Sequence, residues 1–208
     1  MSADVERSPK PTRGWAGALA IGGWSFVVLV LISAGMADVP DRTVPVDRVR
    51  DFYQGHPGVI VVAQVLSLAA TATFLAFSLA LAYHLGSSGA VRNAGLGVTA
   101  TSAFTVAPVL ALAAGADTMG DDTVRLWLAL CDTTDVLLFV AIAAFSATTA
   151  RVVAQPSWRA ALLVCAVASA ARAALLALGL TPLGLVAPLV FLALVAALAT
   201  AGRTASAA

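Results

Sequence analysis

Six apolar runs, at about 14–37, 58–84, 94–115, 123–150, 158–179 and 183–201, each approach or exceed the roughly 20 residues a helix needs to cross a bilayer. In hydrocarbon no water bonds the backbone, so runs of this length are confined to helix, where every N–H and C=O is satisfied internally. Composition agrees: 60% of residues are hydrophobic and 11% charged, whereas soluble domains carry about a quarter charged. The chain reads as all-α, an integral membrane bundle of six transmembrane helices, with residues 14–201 as one domain between disordered tails at 1–13 and 202–208. The first run could pass for a secretory signal, because Arg7, Lys10 and Arg13 precede it and "SAGMA" closes it. It is longer than the roughly 7–15 apolar residues of such signals, and is expected to be retained.

Several function classes are excluded by what accompanies these runs. A net charge of +1, with no basic run, gives nucleic acid nothing to bind. Cys131 and Cys165 lie in apolar runs without a CxxC or a neighbouring histidine, which argues against a disulfide framework or a zinc site. His56 and His84 fall at opposite ends of one run and cannot share a metal, while Asp117, Asp121 and Asp122 read as a solvated loop. No Gly-rich phosphate loop and no nucleophile with a plausible base is present, so no cofactor is expected.

Arginine and lysine placement orients the chain. With both termini in the cytoplasm, the inner side collects Arg7, Lys10, Arg13, Arg92, Arg151, Arg159 and Arg203, against Arg42, Arg48, Arg50 and Arg125 outside. The expectation is a multi-pass protein of a bacterial plasma membrane.

Charges inside the runs carry the functional signal. In "WLALCDTTDVLLFV" the fourth run places Asp132 about 13 Å and Asp135 about 18 Å below its outer end, at 1.5 Å per residue. Arg172 in the fifth run lies about 10–12 Å from the same side, so an Asp132–Arg172 ion pair between antiparallel neighbours is the simplest pairing. That pair is either a structural device fixing helix register or part of a site. Asp135 has no second cation in sight; an unpaired carboxyl at this depth is expected to hold its proton, and either hydrogen-bonds a hydroxyl or donates. Gln64, Ser67 and Thr71 recur at i, i+3 and i+7 on the second run, and Leu128, Asp132, Asp135 and Phe139 share one face of the fourth. The expected picture is a part-hydrated cavity opening outward over an apolar floor. Its lid is the loop "VDRVRDFYQGHPG", a short amphipathic helix through Val46, Val49 and Phe52 with Tyr53 and His56 at the mouth.

The strings "RVRDFYQGHPG", "LALCDTTDVLLF" and "QPSW", with the spacing between them, resemble a large group of actinobacterial six-helix membrane proteins of unassigned chemistry, over most of residues 14–200. In size and intramembrane acids the chain is also similar to bacterial integral-membrane terpene cyclases, which act on farnesylated compounds. That second resemblance implies acid-initiated cyclisation or isomerisation of an isoprenoid. Such chemistry needs a neutral carboxylic acid, an apolar cavity and aromatic faces for the carbocation. Asp135 would be the donor, Asp132 held ionised by Arg172 an orienting group, and Phe139, Trp24 and Phe104 the aromatic wall, with Gln64, Ser67, Thr71, Tyr53 and His56 contacting substrate. The partners expected are a lipophilic small molecule, the lipid bilayer and, in a homodimer, a second copy. Two other readings stand beside this one: a small proton-coupled transporter or efflux component, and a non-catalytic accessory membrane protein.

Overall fold

The computed structural model describes residues 13–36, 39–40, 42–86, 89–180 and 184–207, without the side chains of 13–16 and 202–207. The tail with Arg7 and Lys10, the loop acids Asp38 and Asp41, and the side chains of Arg13, Trp15 and Arg203 lie outside the described residues. Among these residues the chain forms seven helices: α1 (Arg13–Met36), α2 (Val46–Gly55), α3 (Pro57–His84), α4 (Gly89–Gly115), α5 (Asp121–Val152), α6 (Pro156–Ala177) and α7 (Val186–Ala207). Within α1, Gly17–Met36 is long and apolar enough to cross a membrane, as are α3, α4, α5 and α6; α7 contributes the shorter apolar stretch Val186–Ala201 and continues helical past it.

Local chemistry explains where these helices begin and end. Pro57 and Pro156 stand in the first turns of α3 and α6, where a missing N–H costs nothing. Asp121 and Asp122 open α5 and Arg151 closes it, each opposite in sign to the helix dipole at its end. α6 stops at Gly179, whose φ of +72° is open to glycine. There Gly179 N–H donates to Leu176 O at 2.9 Å and Leu180 N–H to Leu175 O at 2.8 Å, the paired bonds of a Schellman cap.

The long helices close into a ring. α3 packs on α1 and α4, α4 on α5, α5 on α6, α6 on α7, and α7 returns to α1; the α6–α7 seam is the thinnest. Large apolar side chains point outward, among them Ile21, Val167 and Leu137, the surface expected of helices bathed in lipid. Because lipid gives no hydrophobic reason for helices to associate, close approach at small residues matters most. A methyl group on Gly22 would stand 3.0 Å from the Phe77 nitrogen, and one on Gly95 would stand 2.7 Å from both Cβ and Oγ of Ser78.

Two apolar cores result. One fills the ring around Phe74, whose aromatic ring lies 5.1–5.8 Å, centroid to centroid, from those of Phe26, Phe77, Phe145 and Phe191. The other lies at one end, where Val46, Val49 and Tyr53 of α2 cover Ile60, Leu112, Val124 and Leu128. Here the structure departs from expectation in part: α2 is amphipathic, but it turns Tyr53 into the packing against α3, α4 and α5 beside Val46 and Val49 instead of placing it at a mouth, and Phe52 is only half-buried. Arg50 fastens it, donating to Ala116 O at 3.1 Å, Met119 O at 2.7 Å and Asp121 Oδ1 at 2.7 Å.

Gly95→Ala is expected to destabilise the protein by about 1–3 kcal/mol through overpacking, with Ser78→Gly in the same chain recovering part of the loss. Thermal unfolding in detergent checks it. A Gly95→Ala protein as stable as wild type would contradict the close α3–α4 approach.

Candidate functional site

Ring closure leaves the axis unfilled between the α2 end and the phenylalanine cluster. A cavity of about 400 Å³ occupies it and takes lining from α1, α3, α4, α5, α6 and α7, within the roughly 300–1,000 Å³ usual for small-molecule sites. Its floor is aromatic and aliphatic, with Phe26, Phe139, Ile142 and Phe191. At the α2 end Ala34 of α1 and Gly184 and Pro188 around the start of α7 line it, whereas α2 seals the sector over α3, α4 and α5.

Most hydroxyls around this space are already satisfied. Thr71 donates to Ser67 O at 2.9 Å and Thr105 to Ser102 O at 2.8 Å, the back-bonding usual for such residues in membrane helices. Ser33 Oγ donates to Ala63 O at 2.9 Å and lies 2.7 Å from Ser67 Oγ. With its own proton committed, Ser33 accepts from Ser67, and the pair ties α1 to α3.

Four polar side chains on the cavity have no such partner. Among the described residues, Gln64, Ser102 and Asp135 form no side-chain hydrogen bond or ion pair, and Arg172 keeps Nε and Nη1 buried with no hydrogen bond. Asp135 is accessible from the cavity. The Arg172 guanidinium lies 6.0 Å from the centre of the Phe139 ring, a cation–π distance.

The Asp132–Arg172 pair expected from matched depth does not form. Asp132 Oδ2 is bound instead by Arg42 Nε at 3.2 Å. Arg42 reaches it from the segment before α2 by lying against the α6 cap: a methyl group on Gly179 would stand 2.5 Å from Arg42 Nη2. Depth along two helices does not fix the direction in which their side chains point, and a loop cation at the rim competes for Asp132.

The other sequence candidates divide. Gln64, Ser67, Thr71, Asp135, Phe139 and Arg172 all line the one cavity. Trp24 and Phe104 do not; they are 40% and 67% exposed on the outer surface of the ring, and their place in the wall is taken by Phe26 and Phe191. Tyr53 is buried in the α2 core with its hydroxyl unbonded, and burial first, then the neighbouring Cys131, holds its phenol proton well above the ordinary range. His56 is exposed beside Phe52, its Nδ1 3.2 Å from Phe52 O. Neither residue reaches the cavity lining. No group of metal-ligating side chains forms among the described residues. Comparison with family models, curated proteins and solved structures returns no match.

The Arg42–Asp132 pair is partly solvated, with the two side chains 46% and 25% exposed. A double-mutant cycle with Arg42→Gln and Asp132→Asn is therefore expected to give a coupling of about 0.2–1 kcal/mol. The corresponding Asp132→Asn and Arg172→Gln cycle should be additive within about 0.5 kcal/mol. Coupling of several kcal/mol in the second cycle would restore the pairing that the structure denies.

Proposed function

We propose that the chain is a six-span protein of the bacterial plasma membrane with both termini in the cytoplasm, and that its cavity is the active site of an isoprenoid cyclase or isomerase. The reading is carried by one observation: the Asp135 carboxyl faces an apolar cavity of about 400 Å³ without a hydrogen-bond or ion-pair partner among the described residues. A carboxyl left unpaired where water is scarce is a candidate proton donor.

In this reading protonated Asp135 gives its proton to one carbon of a substrate double bond, whose π pair becomes the new C–H bond. A tertiary carbocation is left on the other carbon. The π pair of a second double bond attacks it, closing a ring by a C–C bond and moving the cation along the chain. Loss of a proton from the adjacent carbon to the Asp135 carboxylate restores both the alkene and the acid. The product is an isomer of the substrate, and no cofactor or co-reactant is consumed. The faces of Phe26 and Phe191 offer electron-rich surfaces to the migrating charge, and the aliphatic lining keeps water from quenching it.

Six spans follow if the apolar stretch of α7 crosses with the other five, and arginine placement sets the orientation. The same polar groups could serve a proton-coupled transporter, but the packed ring of Phe74 and its four neighbours closes the axis below the cavity, which speaks against a through-path.

Membranes carrying the protein, fed plain and epoxidised farnesylated compounds, are expected to yield cyclised isomers detectable by mass spectrometry and NMR. Asp135→Asn should lower turnover by at least about 100-fold at unchanged protein level. No conversion by folded wild type would remove the cyclase reading. A phosphatase fused after Ala208 is expected to be inactive, as it would remain in the cytoplasm; an active fusion would overturn the cytoplasmic C-terminus.

A further inference from the structure

Arg172 sets a requirement that the protein itself does not meet. Its Nε and Nη1 are buried and bond nothing, the acid expected to neutralise it is held by Arg42, and no ion pair joins it to Asp135 among the described residues. A guanidinium cannot shed its proton to escape burial; the Asp135 carboxyl is near enough to act on it through space but bonds neither of these nitrogens, so both donors are left for an acceptor from outside the chain. The Phe139 ring at 6.0 Å orients the guanidinium and compensates it only in part.

We propose that the cavity takes an amphiphile whose head carries an anionic oxygen group, a carboxylate or a phosphate, seated on Arg172 with its apolar chain directed toward Phe191 and Ile142. The proposal rests on the cavity being a ligand site and adds the chemical class of the ligand. Planar N–H donors match these two oxyanions in geometry as well as charge. The unbonded Gln64 amide on the same cavity supplies a further donor for the head. Position agrees: five residues before the end of α6, Arg172 lies about 8 Å below the α2 end of the ring, while Phe191 and Ile142 belong to the core packed about Phe74. The guanidinium lies against Phe139, one turn below Asp135 on α5, so the seated head lies beside Asp135 and the chain runs on from it toward the floor.

The test is equilibrium binding of three labelled probes, farnesol, farnesoic acid and farnesyl phosphate, to the full-length protein in phosphatidylcholine nanodiscs. Wild type is expected to bind both anionic probes at least about tenfold more tightly than farnesol. Arg172→Gln should erase that preference while retaining farnesol binding, and Arg172→Lys should keep part of it. Equal affinity for all three probes in wild type would overturn the head recognition and leave the cavity reading intact; this comparison needs no variant and decides the matter even if Arg172→Gln fails to fold. Binding of none by folded wild type would overturn both. In nanodiscs that also contain phosphatidylglycerol, loss of both farnesoic acid and farnesol binding supports the anionic-head site and identifies a membrane lipid as its occupant, whereas loss of farnesoic acid alone reports repulsion by the bilayer surface and overturns the lipid as occupant. Unchanged binding of both supports the site with the free amphiphile as occupant.

Discussion

Phe74 touches four other phenylalanine rings, drawn from α1, α3, α5 and α7, and the rest of the interior is arranged around that contact. A ring of six helices encloses more space than small residues can fill, and lipid does not drive the helices inward. Aromatic side chains meeting from across the ring solve this over one part of its length. Where they stop, the ring still encloses volume, and that volume is the cavity. The position of the plug therefore fixes the position and depth of the site.

The polar residues sort by whether that geometry satisfies them. Thr71 and Thr105 are quieted by carbonyls of their own turns, and Ser33 and Ser67 by each other. Arg50 answers three acceptors at the α2 end, and Arg42 takes Asp132 at the rim. Away from the cavity, Tyr53 and Ser169 keep buried unbonded hydroxyls; on it there remain Gln64, Ser102, Asp135 and Arg172, two neutral, one acidic and one basic group turned toward the same apolar space. Buried polar groups in membrane helices are costly unless matched, and a set left unmatched on a cavity large enough for a small molecule points to a ligand as the missing partner.

Much of this was legible in the chain. Run length marked the long helices, because the bilayer sets a minimum span, and the Gln64, Ser67 and Thr71 stripe marked the inner face of α3, because hydroxyl and amide groups turn from lipid. The faces of α1 and α4 were not legible: both are apolar almost all round, so nothing distinguished Trp24 and Phe104, which face outward, from Phe26, which faces in. Arg42 could not be assigned to Asp132 because depth along a helix says nothing of a loop side chain that folds back over the rim. Nor did Gly22 and Gly95 announce themselves; a glycine that permits helix contact reads the same in sequence as one that does not. The unpaired state of Arg172 followed only once its expected partner was seen bound elsewhere.

The most direct test of the cavity as a lipophilic-ligand site is site-specific photocrosslinking in native membranes, with a benzophenone amino acid at Leu138, which lines the cavity, or at Leu137, which is 51% exposed on the outside of the ring. Mass spectrometry of the labelled peptides is expected to show an isoprenoid or other small lipophilic adduct at Leu138 that is missing at Leu137, where bilayer phospholipids should dominate. The same phospholipid adducts at both positions would show that the cavity is only a crevice in the lipid-facing surface, and would contradict the functional reading at its base.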